Sequence, residues 1–256
     1  MWGSAKCGKW YVEGPGHGMT RKSASLEWDN KGKTSSVVQS DFEYRGKNFT
    51  MHIVLAGDSI FDNGYYVSDG KPVIQHLRDA LPMGSQATLL AVDGEVISEI
   101  TAQLKHLPDD ASHLVISAGG NDALSYLELL EEPARSFDEV LAHFHGIRQA
   151  FAGHYRVMLD EAISTGHEVA VCTIYDSVPE LAPGAHAALA MFNEVIMREA
   201  FRAGIPLIDL RLVCTEEGDY SDLSPIEPSE QGGLKIIQPI MGFCFGGERS
   251  ASRVYR

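Results

Sequence analysis

One serine stands where a parallel α/β fold would place a nucleophile. Ser59 follows an apolar run, residues 51–55, through the short segment Ala56-Gly57-Asp58. Such a run predicts a buried strand, and a residue on the turn that leaves it lies beyond the carboxyl end of the sheet. A serine in that place can attack an acyl carbon, although a serine after a strand is more often a helix N-cap. Ser59 is therefore a candidate nucleophile, with the capping role left open.

Two later strand ends carry groups that can stabilise an oxyanion. Gly94 follows one apolar run and Asn121 follows another. An acyl-transfer serine needs donors aimed at the negative oxygen that develops during attack. The backbone amides of Ser59 and Gly94 and the side-chain amide of Asn121 would provide three. Because ligands bind beyond the carboxyl ends of parallel strands, all three are expected to face one crevice.

Four side chains flank this proposed centre. Asp58 and Asp122 are expected to orient loops by hydrogen bonds rather than to exchange protons. The aromatic residues Phe61 and Tyr65 follow the serine and are candidates for lining an acyl pocket, with core packing as the alternative.

Alternating strand-like and helix-like segments must position these residues. Continuous apolar strands separated by amphipathic helices predict a parallel sheet that is covered on both faces. The predicted strands are 51–56, 87–92, 113–117, 168–174 and 205–210. The predicted helices are 72–81, 96–107, 137–163, 185–203 and 229 to about 241.

Composition narrows the class of function. The chain has 256 residues, 44% of them hydrophobic, and a formal net charge of -14. This acidity argues against nucleic-acid and anionic-membrane partners and favours a neutral or apolar substrate. The sequence shows no glycine-rich phosphate loop, so no nucleotide cofactor is expected, and no metal either. Four cysteines without a Cys-x-x-Cys pair, and no apolar leader or membrane-length run, predict a reduced, cytoplasmic protein. The oligomeric state stays open.

The ends of the chain differ from its middle. Residues 1–50 are rich in Gly, Lys and Ser, without a trustworthy periodicity, and are expected to form an N-terminal extension outside the core. The predicted catalytic domain spans 51–241, and 242–256 is expected to be a C-terminal tail.

Three motifs in order resemble the SGNH hydrolases, the GDSL-type esterases and lipases. They are Gly57-Asp58-Ser59-Ile60, then Gly94, and then Gly119-Gly120-Asn121-Asp122. The resemblance covers about residues 51–240. It implies a flavodoxin-like three-layer α/β/α sandwich with a five-stranded parallel sheet. It also implies that Ser59 is the nucleophile and that the Ser59 amide, Gly94 and Asn121 form the oxyanion hole of an enzyme that hydrolyses esters without a metal.

The last motif departs from that family. Where the family has Asp-x-x-His followed by proline, this chain has Ser224-Pro225-Ile226-Glu227 before Pro228. Glu227 thus stands in the place of the histidine and Ser224 in that of the aspartate.

Two roles for Glu227 remain open. It can be a general base, if burial raises its pKa, or a charged residue near the N-terminus of the last helix. Asp222 lies close by in the sequence as a possible orienting carboxylate.

The leading hypothesis is a serine hydrolase that cleaves small carboxylic esters through an acyl-enzyme, with Glu227 as base. A glutamate base predicts no loss of activity near neutral pH of the kind that histidine protonation causes. The alternative is a non-catalytic relative that binds acyl or acetyl groups and has lost its base. A Glu227 side chain pointing at Ser59 favours the first, and one paired with Lys or Arg outside the crevice favours the second.

Overall fold

Five parallel strands form the centre of the fold, in the order β2-β1-β3-β4-β5. The computed structural model describes residues 50–246. The predicted extension, apart from Thr50, and residues 247–256 of the predicted tail lie outside the described residues. The strands are β1 (His52–Gly57), β2 (Gln86–Leu89), β3 (His113–Ser117), β4 (Glu168–Cys172) and β5 (Leu207–Ile208). This is the flavodoxin-like order, and it confirms the predicted five-stranded parallel sheet.

Helices cover both faces of the sheet and complete the three layers. They are α1 (Val73–Ala80), α2 (Ile97–Leu104), α3 (Gly120–Leu124), α4 (Phe137–Ser164), α5 (Pro183–Ala203) and α6 (Glu230–Phe245). Successive strand residues point to opposite faces. Ile53 and Leu55 of β1 therefore pack with α1 and α6. Val54 and Ala56 pack in a second core with α2, α4 and α5.

The helix ends follow local chemistry. The Ser136 hydroxyl accepts a hydrogen bond from the Glu139 amide at the start of α4, at 3.1 Å. The Ser229 hydroxyl accepts one from the Gly232 amide at the start of α6, at 3.1 Å. Gly204 ends α5 in the left-handed conformation, with φ of 73°. Each is an ordinary cap for the unsatisfied groups of a helix terminus.

Several boundaries differ from those predicted. β5 has two residues rather than six, because the Ile205 amide donates to the Ala200 carbonyl at the end of α5 and Leu210 already begins a 3-10 turn. Helix α6 continues to Phe245, beyond the predicted end near Met241. Asn121, which the sequence places only after a strand end, lies in the short helix α3.

Candidate active site

The turn after β1 is held by a close approach of two strands and by one buried amide. Gly57 has a φ of 134°, and a Cβ there would lie 1.8 Å from the carbonyl oxygen of Ser117. Only glycine fits so close to another backbone. Gln103 on α2 accepts a hydrogen bond from the Gly57 amide and donates one to its carbonyl, each at 2.7 Å. These contacts fix the backbone that leads into Ser59.

Ser59 and Glu227 meet inside the protein. The Ser59 hydroxyl donates a hydrogen bond to Oε1 of Glu227 at 3.0 Å. Ser59 is 6% exposed and Glu227 is 5% exposed. The second carboxylate oxygen, Oε2, is buried and has no hydrogen-bond partner in the described part of the chain. The Glu227 side chain therefore points at Ser59, which is the position that favours the general-base role.

Burial changes the acidity of Glu227. Loss of hydration raises the pKa of this carboxyl from 4.5 to about 7, with the hydrogen bond from Ser59 opposing the rise and the charge of Asp93 adding to it. An unperturbed histidine has a pKa of about 6.5. In this environment, the carboxylate has about the proton affinity of an imidazole.

A second buried carboxyl, Asp58, lies next to the pair. Its Oδ1 accepts a hydrogen bond from the Ile60 amide at 3.2 Å. Burial raises the pKa of Asp58 to about 7; the Ile60 amide opposes the rise and the charge of Glu227 adds to it. Two carboxyls that interact in a buried site resist ionising together. Asp58 thus holds its own turn, as expected, and is also electrostatically coupled to Glu227.

Asn121 stands on the neighbouring strand end. It lies in the first turn of α3 and lines the same cleft as Ser59 and Glu227. Its Nδ2 donates a hydrogen bond to the carbonyl of Glu95 at 2.9 Å. The Glu95 carboxylate in turn accepts a hydrogen bond from Gln103. Gln103 therefore anchors the turn that carries Ser59 and also holds Glu95, whose carbonyl binds Asn121.

The loop that carries Gly94 is tied to the loop after Ser59. Gly94 has a φ of 84° and open space where a Cβ would lie. The preceding residue, Asp93, accepts a hydrogen bond from the Tyr66 hydroxyl at 2.9 Å, and its amide donates to Asp62 at 3.1 Å. The charge of Asp93 raises the pKa of Glu227. Gly94 itself does not line the cleft that Ser59, Asn121 and Glu227 share, although the sequence predicted that it would face the same crevice.

Asp122 takes the orienting role expected of it. Its Oδ2 accepts a hydrogen bond from the amide of Ile97, the first residue of α2, at 3.0 Å. A carboxylate at a helix N-terminus satisfies a free amide and favours the helix dipole. Asp122 thereby joins α3 to α2.

Beside Ser59 lies a deep cleft. It contains about 870 Å³ of empty space, its open mouth included. Asp58, Ser59, Asn121 and Glu227 cluster at one part of the wall, and most of the remaining wall is apolar. Its apolar lining comes from α3, the 3-10 helix Leu127–Glu131, α4, the segment after β4, and α5.

Comparison with known proteins identifies the family of the chain. The model of the GDSL-like lipase/acylhydrolase family matches residues 55–233, which include all four residues of the proposed site. The chain belongs to this family. A search of curated proteins finds no significant match.

Solved structures share the fold of this family member. An extracellular lipase from Streptomyces rimosus has a TM-score of 0.55 and 18% identity, with 75% of this chain and 99% of that chain covered. A lipase from a goat rumen metagenome has a TM-score of 0.58 and 20% identity, with coverages of 77% and 99%. An acetyl xylan esterase from Geobacillus stearothermophilus has a TM-score of 0.54 and 14% identity, with coverages of 79% and 97%.

Three candidate site residues do not line the cleft. Asp222 is exposed, and within residues 50–246 no hydrogen bond joins it to Glu227, so it does not orient that carboxylate. Phe61 is 0% exposed and packs in the core with α1 and α6, so it does not line the cleft. Tyr65 is 81% exposed and rests edge-on against Tyr66, also outside the cleft lining.

Other residues that the sequence analysis missed hold the Glu227 loop. Asn63 is buried; its Nδ2 donates to the carbonyl of Pro228 at 3.0 Å, and its Oδ1 accepts from the Val73 amide at 2.9 Å. The Tyr175 hydroxyl donates to the carbonyl of Ile226. The Ser221 amide donates to the carbonyl of Glu227 itself at 2.8 Å. Asn63 stands in an Asp-Asn-Gly sequence, directly before the 3-10 helix Gly64–Tyr66, and this tripeptide is the one sequence signal of its position.

The described residues hold neither a metal-type cluster nor a spanning helix. Between residues 50 and 246, no group of three or more His, Cys, Asp or Glu side chains is placed to bind a metal ion. No helix in that range is long and apolar enough to cross a membrane. Cys172, Cys214 and Cys244 are buried free thiols.

Proposed function

We propose that this protein hydrolyses small carboxylic esters through an acyl-enzyme on Ser59, with Glu227 as the general base. The observation that carries the proposal is the buried hydrogen bond from the Ser59 hydroxyl to Glu227, at 3.0 Å. A serine needs a proton acceptor as it attacks, and a hydrogen bond of this length places the acceptor within reach. Membership of a lipase and acylhydrolase family supports ester hydrolysis in general.

The first half of the reaction forms the acyl-enzyme. The Ser59 oxygen attacks the ester carbonyl carbon while its proton passes to Glu227. The carbonyl oxygen becomes negative and accepts hydrogen bonds from the amides of Ser59 and Gly94 and from Asn121. When the tetrahedral intermediate collapses, the bond to the alcohol oxygen breaks and the alcohol takes the proton from Glu227.

The second half repeats this chemistry with water. Glu227 accepts a proton from the water that attacks the acyl carbon, and the tetrahedral intermediate expels the Ser59 oxygen. The proton on Glu227 returns to that oxygen, the carboxylic acid leaves, and the enzyme regains its starting state. Glu227 needs no third residue to select a tautomer, as a histidine does, because either carboxylate oxygen can accept a proton. The exposed position of Asp222 is compatible with this simpler pair.

Hydrolysis of short p-nitrophenyl esters tests the proposal. Wild type should turn over, and Ser59→Ala and Glu227→Gln should each lose at least about a thousandfold in kcat while they stay folded. Glu227→His restores the family's usual base and should retain more activity than Glu227→Gln. The matched control is Glu217→Gln, which removes one exposed carboxylate and should leave the rate unchanged.

The control reactions also separate the alternative function. Wild type no faster than Ser59→Ala would contradict the proposal and support a non-catalytic acyl-binding protein. A fully active Glu227→Gln would contradict the role of Glu227 alone.

A further inference from the structure

The two sides of Ser59 differ in polarity. On the side of the Gly94 loop lie Asp62, Asp93 and the hydroxyl of Tyr66, joined by hydrogen bonds and partly open to solvent. On the side of α3, α4 and α5 lies the cleft, which is lined mainly by apolar side chains. The acyl and alcohol parts of an ester leave the reacting carbonyl carbon in different directions, so one of the two parts enters the cleft when the ester is bound at Ser59.

Small residues on one helix create the space in the cleft. Ala185, Ala188, Leu189 and Phe192 of α5 all line it, at the spacing of three and four residues that puts them on one helix face. Alanine at 185 and 188 leaves room that larger side chains would fill. Phe192 is 2% exposed and closes this face, and its ring packs edge-on against that of Phe151 at 4.9 Å. The cleft is therefore a mainly apolar space, and the Phe192 ring forms part of its wall.

The chemistry of the lining excludes polar and anionic occupants. A sugar in this space would leave its hydroxyls without partners, which is costly. No Lys or Arg within the described chain lines the cleft, whereas Asp58 and Glu227 do. A phosphate or carboxylate group there would face two carboxyls with no compensating cation.

We propose that the cleft binds the acyl part of the ester and favours an apolar chain such as octanoyl over acetyl, on an uncharged alcohol. This inference rests on the proposed function. The acyl part belongs in the cleft because it stays bonded to Ser59 after the alcohol has left. The polar, more open side then gives the alcohol its exit and the attacking water its entry. Acetate would leave most of the cleft empty.

A chain-length series of p-nitrophenyl esters is the test. Each methylene moved from water into the cleft should raise kcat/KM by up to roughly fourfold, which is about 0.8 kcal/mol. From acetate to octanoate, we expect a rise of about a hundredfold or more. Equal kcat/KM for acetate and octanoate, in an enzyme that depends on Ser59, would overturn the inference and leave the proposed function standing.

A matched pair of variants locates the effect in the cleft. Ala188→Phe fills the space and should lower the octanoate-to-acetate ratio of kcat/KM at least about tenfold. Ala187→Phe, its exposed neighbour on α5 outside the cleft lining, should keep the wild-type ratio. Ala188→Leu is the milder variant if phenylalanine prevents folding. A ratio that Ala188→Phe and Ala188→Leu leave unchanged would overturn the inference.

Two further measurements separate the remaining outcomes. Ethyl octanoate should be a better substrate than octyl acetate; the reverse preference would put the chain on the alcohol side and overturn the inference. If no ester is hydrolysed, the proposed function fails, and calorimetric binding of methyl octanoate to Ser59→Ala still tests the cleft. Ala188→Phe in that background should weaken binding at least about tenfold, and equal binding would overturn the assignment.

Discussion

Replacing Glu227 by glutamine should raise the free energy of unfolding at alkaline pH and should not do so in acid. Glu227 is 5% exposed, and its Oε2 has no hydrogen-bond partner in the described structure. Burial raises its pKa from 4.5 to about 7. Between these two pH values, the folded protein keeps a proton on Glu227 that the unfolded chain releases.

The sign and size of the effect follow from this proton. Stability that comes from protonated Glu227 is complete below about pH 4.5 and is lost as the pH rises through about 7. At about 1.4 kcal/mol for each tenfold change in acid dissociation constant, the loss amounts to about 3 kcal/mol. Glutamine has a similar shape and no charge, so Glu227→Gln does not suffer this loss. Relative to wild type, it should gain about 3 kcal/mol between about pH 4.5 and about pH 8.5.

Urea unfolding of wild type and Glu227→Gln at both pH values measures the gain. Any packing penalty of the amide is the same at both pH values and cancels from the difference. Glu217→Gln removes an exposed, hydrated carboxylate and should not reproduce the alkaline gain. If the difference in unfolding free energy between wild type and Glu227→Gln does not change with pH, ionisation of buried Glu227 does not destabilise the folded protein, which refutes the expected effect.

Three further outcomes are expected. The kcat/KM for a short ester, followed in a pH-stat, should rise with pH to a plateau with an apparent pKa near 7, because the proposed base Glu227 accepts a proton only when ionised. A rate that is flat from about pH 5 to about pH 9 would contradict this expectation. Asn121→Ala should lower kcat about 10²- to 10³-fold with little change in KM, in steady-state kinetics, because it removes one of the proposed oxyanion donors. Gly57→Ala should destabilise the protein by at least about 2 kcal/mol in urea unfolding, since the new Cβ would lie 1.8 Å from the Ser117 carbonyl oxygen. The control Gly64→Ala adds a Cβ in open space and should not destabilise the protein.

Most of the fold could be predicted because its signals are local. Buried parallel strands read as continuous apolar runs, and helices show apolar residues at three- and four-residue steps. The strand β5 is the exception. An apolar run from Ile205 to Leu210 does not reveal that the Ile205 amide is used by the end of α5. Competition for one hydrogen bond depends on tertiary contacts, so sequence patterns set such boundaries poorly.

The site could be predicted in part for the same reason. Ser59 and Asn121 follow strand ends, and the topology brings both to one cleft. The anchors Gln103 and Asn63 were missed because an amide side chain gives no periodic signal; what defines them is a buried backbone group that needs a partner. Phe61 takes the core position that the sequence leaves open as its alternative, since its apolar character fits a core as well as a pocket.

The pKa of Glu227 bears directly on the expected pH dependence of the activity. A glutamate base was expected to avoid the loss of activity that protonation of a histidine causes near neutral pH, since the unperturbed pKa of glutamate lies about two units below that of histidine. Burial raises that pKa to about 7 and removes the distinction. A rate profile governed by a pKa near 7 therefore fits a glutamate base as well as a histidine base, and the Glu227 variants must decide between them.

The same burial connects base strength to stability. Hydration keeps an ordinary glutamate a weak base, so a site that makes Glu227 more basic must withhold water from its carboxylate. The folded state is therefore destabilised when Glu227 ionises. Asn63, Tyr175 and Ser221 fix the backbone around Glu227, which keeps the carboxylate against Ser59 instead of letting it turn to solvent. Loosening that loop should therefore rehydrate the carboxylate and weaken the base while stabilising the ionised form. Activity and alkaline stability are thus expected to change in opposite directions at Glu227.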